Sequence, residues 1–240
     1  MKKSLTLLAS AMLLANNAYA EDATSVKSLW KASAELGFVS STGNTETETL
    51  NAKAKASTDR KQWRHVIEAT SLYSSDAIST TAQKFTLSGK SDYKLEGGKN
   101  FLFGRVAYEN EKFSGYEYRV TEVIGYGRRI FEDDIKTLDL EIGPGLRQSK
   151  FDNGDTEDET LLRAAAIFDW NISKSSKFGE ELTVETGDDV TITKSVTSLS
   201  SQIDGNLSMK VTFTYKNTSD VPVGVDDTDT ETAVTLVYNF

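Results

Sequence analysis

From Ala32 onward the chain alternates apolar and polar side chains with a period of two. Ala32, Ala34, Leu36 and Phe38 interleave with Lys31, Ser33, Glu35 and Gly37. Ser41-Thr42-Gly43-Asn44-Thr45 then turns the chain, and Leu50, Ala52, Ala54 and Ala56 lie opposite Asn51, Lys53, Lys55 and Ser57. A period of two belongs to a strand rather than a helix, so this segment predicts a hairpin. The pattern recurs with Trp63, Ile67, Ala69 and Tyr73; Phe85, Leu87 and Tyr93; and Leu102, Val106 and Tyr108. It continues with Leu138, Leu140, Ile142 and Leu146, with Pro144 on the same side, where it removes one ladder donor. Leu162 to Ile172, Phe178 to Val184, Leu207 to Tyr215 and the final Val234, Leu236, Tyr238, Phe240 complete the series. Two stretches resist assignment. Between Tyr118 and Phe131 one face is Tyr118, Val120, Ile124 and Tyr126 with Glu122 among them, and the other is Val123, Gly125, Gly127 and Phe131. Thr191 to Ser201 is rich in Ser and Thr, and its register is weakly specified.

About twelve strands result, an even number that suits a bacterial transmembrane barrel with both termini on one side. The expected fold is all-β, a single antiparallel up-and-down transmembrane barrel. If the first strand runs outward, the periplasmic turns are Asp59 to Gln62, Glu96 to Lys99, Glu132 to Asp134, Ser173 to Ser176 and Asp204 to Asn206, all short. Longer connections, Gln148 to Glu159 and Asn217 to Glu231, fall on the outer side. Trp63, Phe101, Phe131, Trp170, Phe178, Tyr238 and Phe240 are expected in a periplasmic aromatic girdle, and Tyr73, Tyr116, Tyr118 and Tyr215 in an outer one. A closing strand with Val234, Leu236, Tyr238 and Phe240 on one face and a terminal aromatic resembles the assembly signal of outer-membrane barrels. The barrel assembly machinery is thus an expected partner during biogenesis.

Residues 1–20 read as a secretory signal peptide: basic Lys2-Lys3, an apolar run from Leu5 to Leu14, and Ala18-Tyr19-Ala20 before Glu21. Residues 21–240 then form the barrel, with no composition break marking a second domain. After the leader no apolar stretch is long enough for a membrane helix, which leaves strands as the only spanning device. The chain has no Cys and one His, so disulfides, thiolate zinc sites and paired imidazole ligands are excluded. No cofactor or metal is expected. A net charge of −9, more negative once Lys2 and Lys3 leave, disfavours nucleic acid as partner.

On the polar faces charge is dense. Lys53, Lys55, Arg64, Glu68, Lys84, Arg105, Glu141, Arg147, Arg163, Asp169, Glu185 and Lys210 are expected to line a narrow lumen, together with Lys31, Glu35, Lys90, Asp139 and Glu181. Basic residues gather on the early strands and acidic ones on the later, which favours ion pairing across the lumen and a filled interior over a wide pore. His65, between Trp63 and Ile67, is the one imidazole available to an acyl hydrolase, but no G-x-S-x-G accompanies it, so an interfacial histidine is expected. The acidic stretches Asp152 to Asp155 and Asp227 to Glu231 lack the calcium-loop pattern and read as solvated loops. Gly125-Tyr126-Gly127 and Gly143-Pro144-Gly145 lack a phosphate-loop pattern and read as bends or close packing in the barrel wall.

Glu35-Leu36-Gly37-Phe38-Val39-Ser40-Ser41-Thr42-Gly43-Asn44-Thr45-Glu46, Tyr118-Arg119 leading to Gly125-Tyr126-Gly127, Leu140 to Arg147 and the terminal Tyr238-Asn239-Phe240 resemble the YdiY-like family of salt-induced outer-membrane proteins. The resemblance implies a single-domain outer-membrane barrel with a link to salt, and brings no catalytic residues. The expected role is therefore non-enzymatic: a monomeric barrel of the Gram-negative outer membrane, bathed in lipid and lipopolysaccharide, acting structurally or as a narrow conduit. A substrate-specific channel and an exported soluble lipocalin-like barrel are the alternatives, since alternation alone does not say which face is inside.

Overall fold

The structure, a computed structural model, describes residues 30–41, 47–76, 79–112, 114–221 and 224–240. The expected leader and residues 42–46 of the first turn lie outside them. Twelve strands run in chain order: β1 Lys31–Ser41, β2 Thr47–Asp59, β3 Trp63–Asp76, β4 Thr80–Lys94, β5 Asn100–Lys112, β6 Tyr116–Glu132, β7 Lys136–Phe151, β8 Thr156–Asn171, β9 Ser176–Gly187, β10 Thr191–Asp204, β11 Leu207–Thr218 and β12 Thr228–Asn239. Each pairs antiparallel with its sequence neighbours, and β1 pairs with β12 to close the barrel. Closure leaves no free sheet edge, which a sheet surrounded by hydrocarbon requires.

The alternation decides which face is inside. Leu36, Ile67, Leu87, Leu102, Ile124, Ile142, Leu162, Leu199, Val211 and Leu236 are exposed, Ile124 at 71% and Leu236 at 51%. The buried residues are mostly polar or charged: Arg147 is 1% exposed, Arg163 2% and Glu141 4%. This inverts the pattern of a water-soluble protein and matches a barrel with its apolar face towards lipid. It counts against the soluble lipocalin-like alternative, whose apolar residues would fill the interior.

In β6 the outward face is Tyr118, Val120, Glu122, Ile124 and Tyr126, while Arg119, Thr121, Val123 and Gly127 turn inward. Glu122 on the outward face, and a register shift at Arg129/Phe131 that turns Phe131 outward out of phase with Val123 and Gly127, account for the ambiguous alternation. Short connections at residues 60–62, 95–99, 133–135, 172–175 and 205–206 fall together at one end, hereafter the short-turn end, close to the predicted positions. In one of them the Asp133 carboxylate accepts the backbone N–H groups of Ile135 and Lys136, which holds its pKa below the usual aspartate range.

Three expectations are corrected. The Gln148–Glu159 connection shrinks to residues 152–155, because Gln148↔Asp158, Ser149↔Glu157 and Lys150↔Thr156 continue the ladder; acidic composition marked exposure to water and not loss of pairing. Asn217–Glu231 shortens in the same way, with β11 ending at Thr218 and β12 starting at Thr228. Phe101 and Tyr116 leave the predicted girdles and turn inward, at 3% and 9% exposure. Room for the phenyl rings comes from glycines. A Cβ on Gly125 would sit 2.7 Å from the Phe103 ring, and one on Gly143 would sit 2.6 Å from the Gly125 Cα. The glycine-rich stretches of β6 and β7 thus serve close packing in the wall, where Phe101, Phe103, Val123 and Leu161 form an apolar island inside the barrel.

Candidate functional site: the charged lumen

Inward-facing side chains form stacked tiers of ion pairs. Nearest the short-turn end, Arg64 of β3 places Nε 2.6 Å from Asp92 Oδ2 and Nη1 2.9 Å from Asp139 Oδ2, reaching from β3 to β7. Arg129 grips Asp139 with two parallel donors, Nε to Oδ1 at 2.7 Å and Nη2 to Oδ2 at 2.9 Å. In the next tier Lys90 of β4 pairs with Glu141 of β7, whose other oxygen lies 3.0 Å from Arg163 Nη1. The Phe101 ring lies under both the Arg64 guanidinium, at 5.0 Å, and the Lys90 ammonium, at 5.3 Å, so cations roof the apolar island.

Towards the opposite end, hereafter the loop end, Arg147 joins Glu159 at 2.9 Å and Glu185 at 3.3 Å. Glu159 also accepts the backbone N–H groups of Asp189 and Val190, pinning the β9–β10 connection to the wall. Across the lumen, Lys216 of β11 contacts Glu109 Oε1 at 3.0 Å and Glu111 Oε2 at 2.9 Å, and Lys84 shares Glu111 at 3.0 Å. β5 and β11 stand six places apart in a ring of twelve, so Lys216 bridges a full diameter. Lys210 with Glu35, at 3.1 Å, and Lys53 with Glu68, at 2.7 Å, complete the set on the β1 side.

Of the predicted lumen residues, Lys53, Arg64, Glu68, Lys84, Glu141, Arg147, Arg163, Glu185 and Lys210 meet in these pairs. Arg105 lines the interior without a carboxylate within 4.0 Å among the described residues. Lys55 shares the inward face of β2, and Asp169 lies at the short-turn rim beside Gly179. The pairing is less segregated than the sequence implied. Lys90 and Arg64 do reach from early strands to β7, but Lys216 and Lys210 bring cations from a late strand to early carboxylates, and Arg147 and Arg163 sit among the acidic strands.

Asp92, Glu111, Arg119, Glu159, Lys194 and Lys216 were missed. Carrying the alternation of β11 past Tyr215 finds Lys216, and that of β5 past Glu109 finds Glu111. Lys194 was hidden in the Ser/Thr-rich stretch, Arg119 in the ambiguous strand and Glu159 in a presumed loop. His65 faces outward, stacks on Trp63 at 5.7 Å and bonds Ser91 Oγ through Nδ1 at 2.8 Å. No carboxylate or amide contacts its other nitrogen among the described residues, so nothing there orients a general base.

A closed antiparallel barrel with an apolar belt and a charged lumen defines a β-barrel of the outer-membrane class. Solved structures agree: the chain superposes on a NanC porin with a TM-score of 0.53 at 11% identity, covering 87% of this chain and 98% of that one. It superposes on the COG4313 outer membrane channel of Pseudomonas putida F1 with a TM-score of 0.51 at 8% identity, covering 88% and 94%. Among curated proteins, the Escherichia coli K12 protein described as "Uncharacterized protein YdiY" is 25% identical over 250 residues, covering 98% of this chain and 96% of that one. The chain belongs to the family described as "Protein of unknown function, DUF481", whose model matches residues 34–240.

Proposed function

We propose that this protein resides in the bacterial outer membrane, with the short turns in the periplasm, and works without catalysis as a narrow conduit latched by ion pairs across its lumen. The carrying observation is Lys216, which spans the diameter to Glu109 and Glu111. A contact of this kind blocks large solutes, yet it lies in a polar interior where mobile ions can compete for each partner. Lys216 is buried, so bulk screening reaches it weakly; what loosens the latch as salt rises is competition from ions that enter the lumen. That dependence fits the link to salt that the resemblance implies. In this reading the apolar belt sits in lipid and lipopolysaccharide and the protein works as a monomer.

The test is single-channel conductance in planar bilayers across a potassium chloride series. Wild type is expected to conduct weakly at low salt and to rise more steeply than bulk conductivity. Lys216→Gln, which removes the charge and shortens the side chain by one atom, is expected to raise low-salt conductance several-fold and flatten the curve. Heat-modifiable gel mobility confirms that both proteins are folded. Absence of current from both folded proteins at every salt concentration and voltage would leave only a structural role.

A further inference from the structure

Between the Lys216 tie and the Lys90–Glu141 pair the lumen holds a cavity of about 110 Å³. Its wall brings together Arg105, Arg119, Lys194, Thr121, Thr183 and Glu181. Most lumen cations have a carboxylate partner; these three do not. Arg105 and Lys194 have no carboxylate within 4.0 Å among the described residues. Arg119 bonds Ser149 Oγ at 3.3 Å and lies 3.9 Å from the centre of the Tyr116 ring. Buried and half-buried cations facing one void are costly without an anion, and this excess stands against a chain whose net charge is −9.

We propose that this chamber is a binding station for a small organic carboxylate, the substrate class of the conduit; the proposal rests on the conduit reading. The guanidinium forks of Arg105 and Arg119 suit the two oxygens of a carboxylate, and Lys194 adds a point charge. Thr121 and Thr183 supply hydroxyl donors. Ile192, buried against the cavity, gives an apolar wall that a carbon skeleton uses and a bare inorganic ion does not. Three carboxylates also line the chamber: Glu109 is tied to Lys216 and Glu185 to Arg147, while Glu181 is held only loosely at 4.0 Å from Arg163 Nη2. Glu181 disfavours heavily charged polyanions and limits affinity, as suits a ligand that must leave.

The test is calorimetric titration of the full-length folded barrel in detergent with succinate, inorganic sulfate and neutral succinamide, beside conductance of the same preparation. Succinate is expected to bind with a Kd of roughly 0.1–1 mM, and succinamide not to bind. Arg105→Gln and Lys194→Gln should each weaken succinate at least tenfold, while Glu181→Gln should tighten it about threefold. Sulfate binding as tightly as succinate would overturn the organic class. A folded, conducting wild type that shows no succinate binding would overturn the site and leave the conduit intact. Succinate binding without any current would sink the conduit and keep the site.

Discussion

Glu122 stands on the face of β6 turned towards lipid, between Val120 and Ile124 and opposite Val106 and Leu146. It has no hydrogen bond or ion pair among the described residues. A carboxylate at this position gains little from hydrocarbon, and the cost falls on the stability of the barrel. Glu180 on β9 also faces outward, yet accepts hydroxyls from Ser195 at 2.7 Å and Thr197 at 2.5 Å, which replace part of its hydration. The two should therefore respond differently to the same change. Glu122→Leu is expected to stabilise the folded barrel by about 1–2 kcal/mol in urea titrations from lipid vesicles. Glu180→Leu should gain less, because it leaves two hydroxyls without their acceptor. Destabilisation by Glu122→Leu would mean that its carboxylate is matched by a partner outside the chain.

At the scale of the strand, the weak element is the seam. β1 pairs with β2 from Lys31↔Ser57 to Ser41↔Thr47, but with β12 only from Ser33↔Asn239 to Leu36↔Leu236. Beyond that ladder Gly37 lies so close to β12 that a Cβ would stand 2.6 Å from the Val234 carbonyl oxygen. Asn51 Nδ2 reaches over β1 to donate to Glu231 Oε1 at 2.9 Å. The chain end finishes the closure, with Phe240 N–H donating to Ala32 O at 2.9 Å and the Phe240 ring edge-on to Tyr238 at 4.9 Å. Gly37→Ala should wedge the seam and cost about 1–2 kcal/mol, seen as loss of the folded gel band at lower temperature than wild type. An unchanged transition would mean that the seam already yields. Strand existence and facing were legible in the sequence because a period of two is local, down to the outward set Val234, Leu236, Tyr238 and Phe240. Pairing across the lumen was not, since which carboxylate Lys216 meets depends on five intervening strands. Nor was the inward turn of Phe101 legible, because the space for its ring is made by Gly127 on a neighbouring strand.

For the molecule as a whole, charge is distributed along the axis. The loop end is acidic, with Asp152, Asp155, Asp188, Asp189, Asp220, Asp226 and Asp227 exposed around it, whereas Arg105, Arg119 and Lys194 wait inside. An anion approaching from that side meets a repulsive mouth before an attractive chamber, so entry is limited by the rim. Divalent cations, which associate with carboxylate clusters and screen them, remove that barrier without touching the latch. Magnesium at about 5 mM on the loop-end side of a planar bilayer is therefore expected to raise anion current about twofold, and a chelator on the same side to reverse it. Magnesium added on the short-turn side should change little, because there Arg60, Lys61, Lys99 and Lys174 are interspersed with the carboxylates. Equal enhancement from both sides would place the limiting step in the latch, at Lys216 and its two glutamates, and not at the rim.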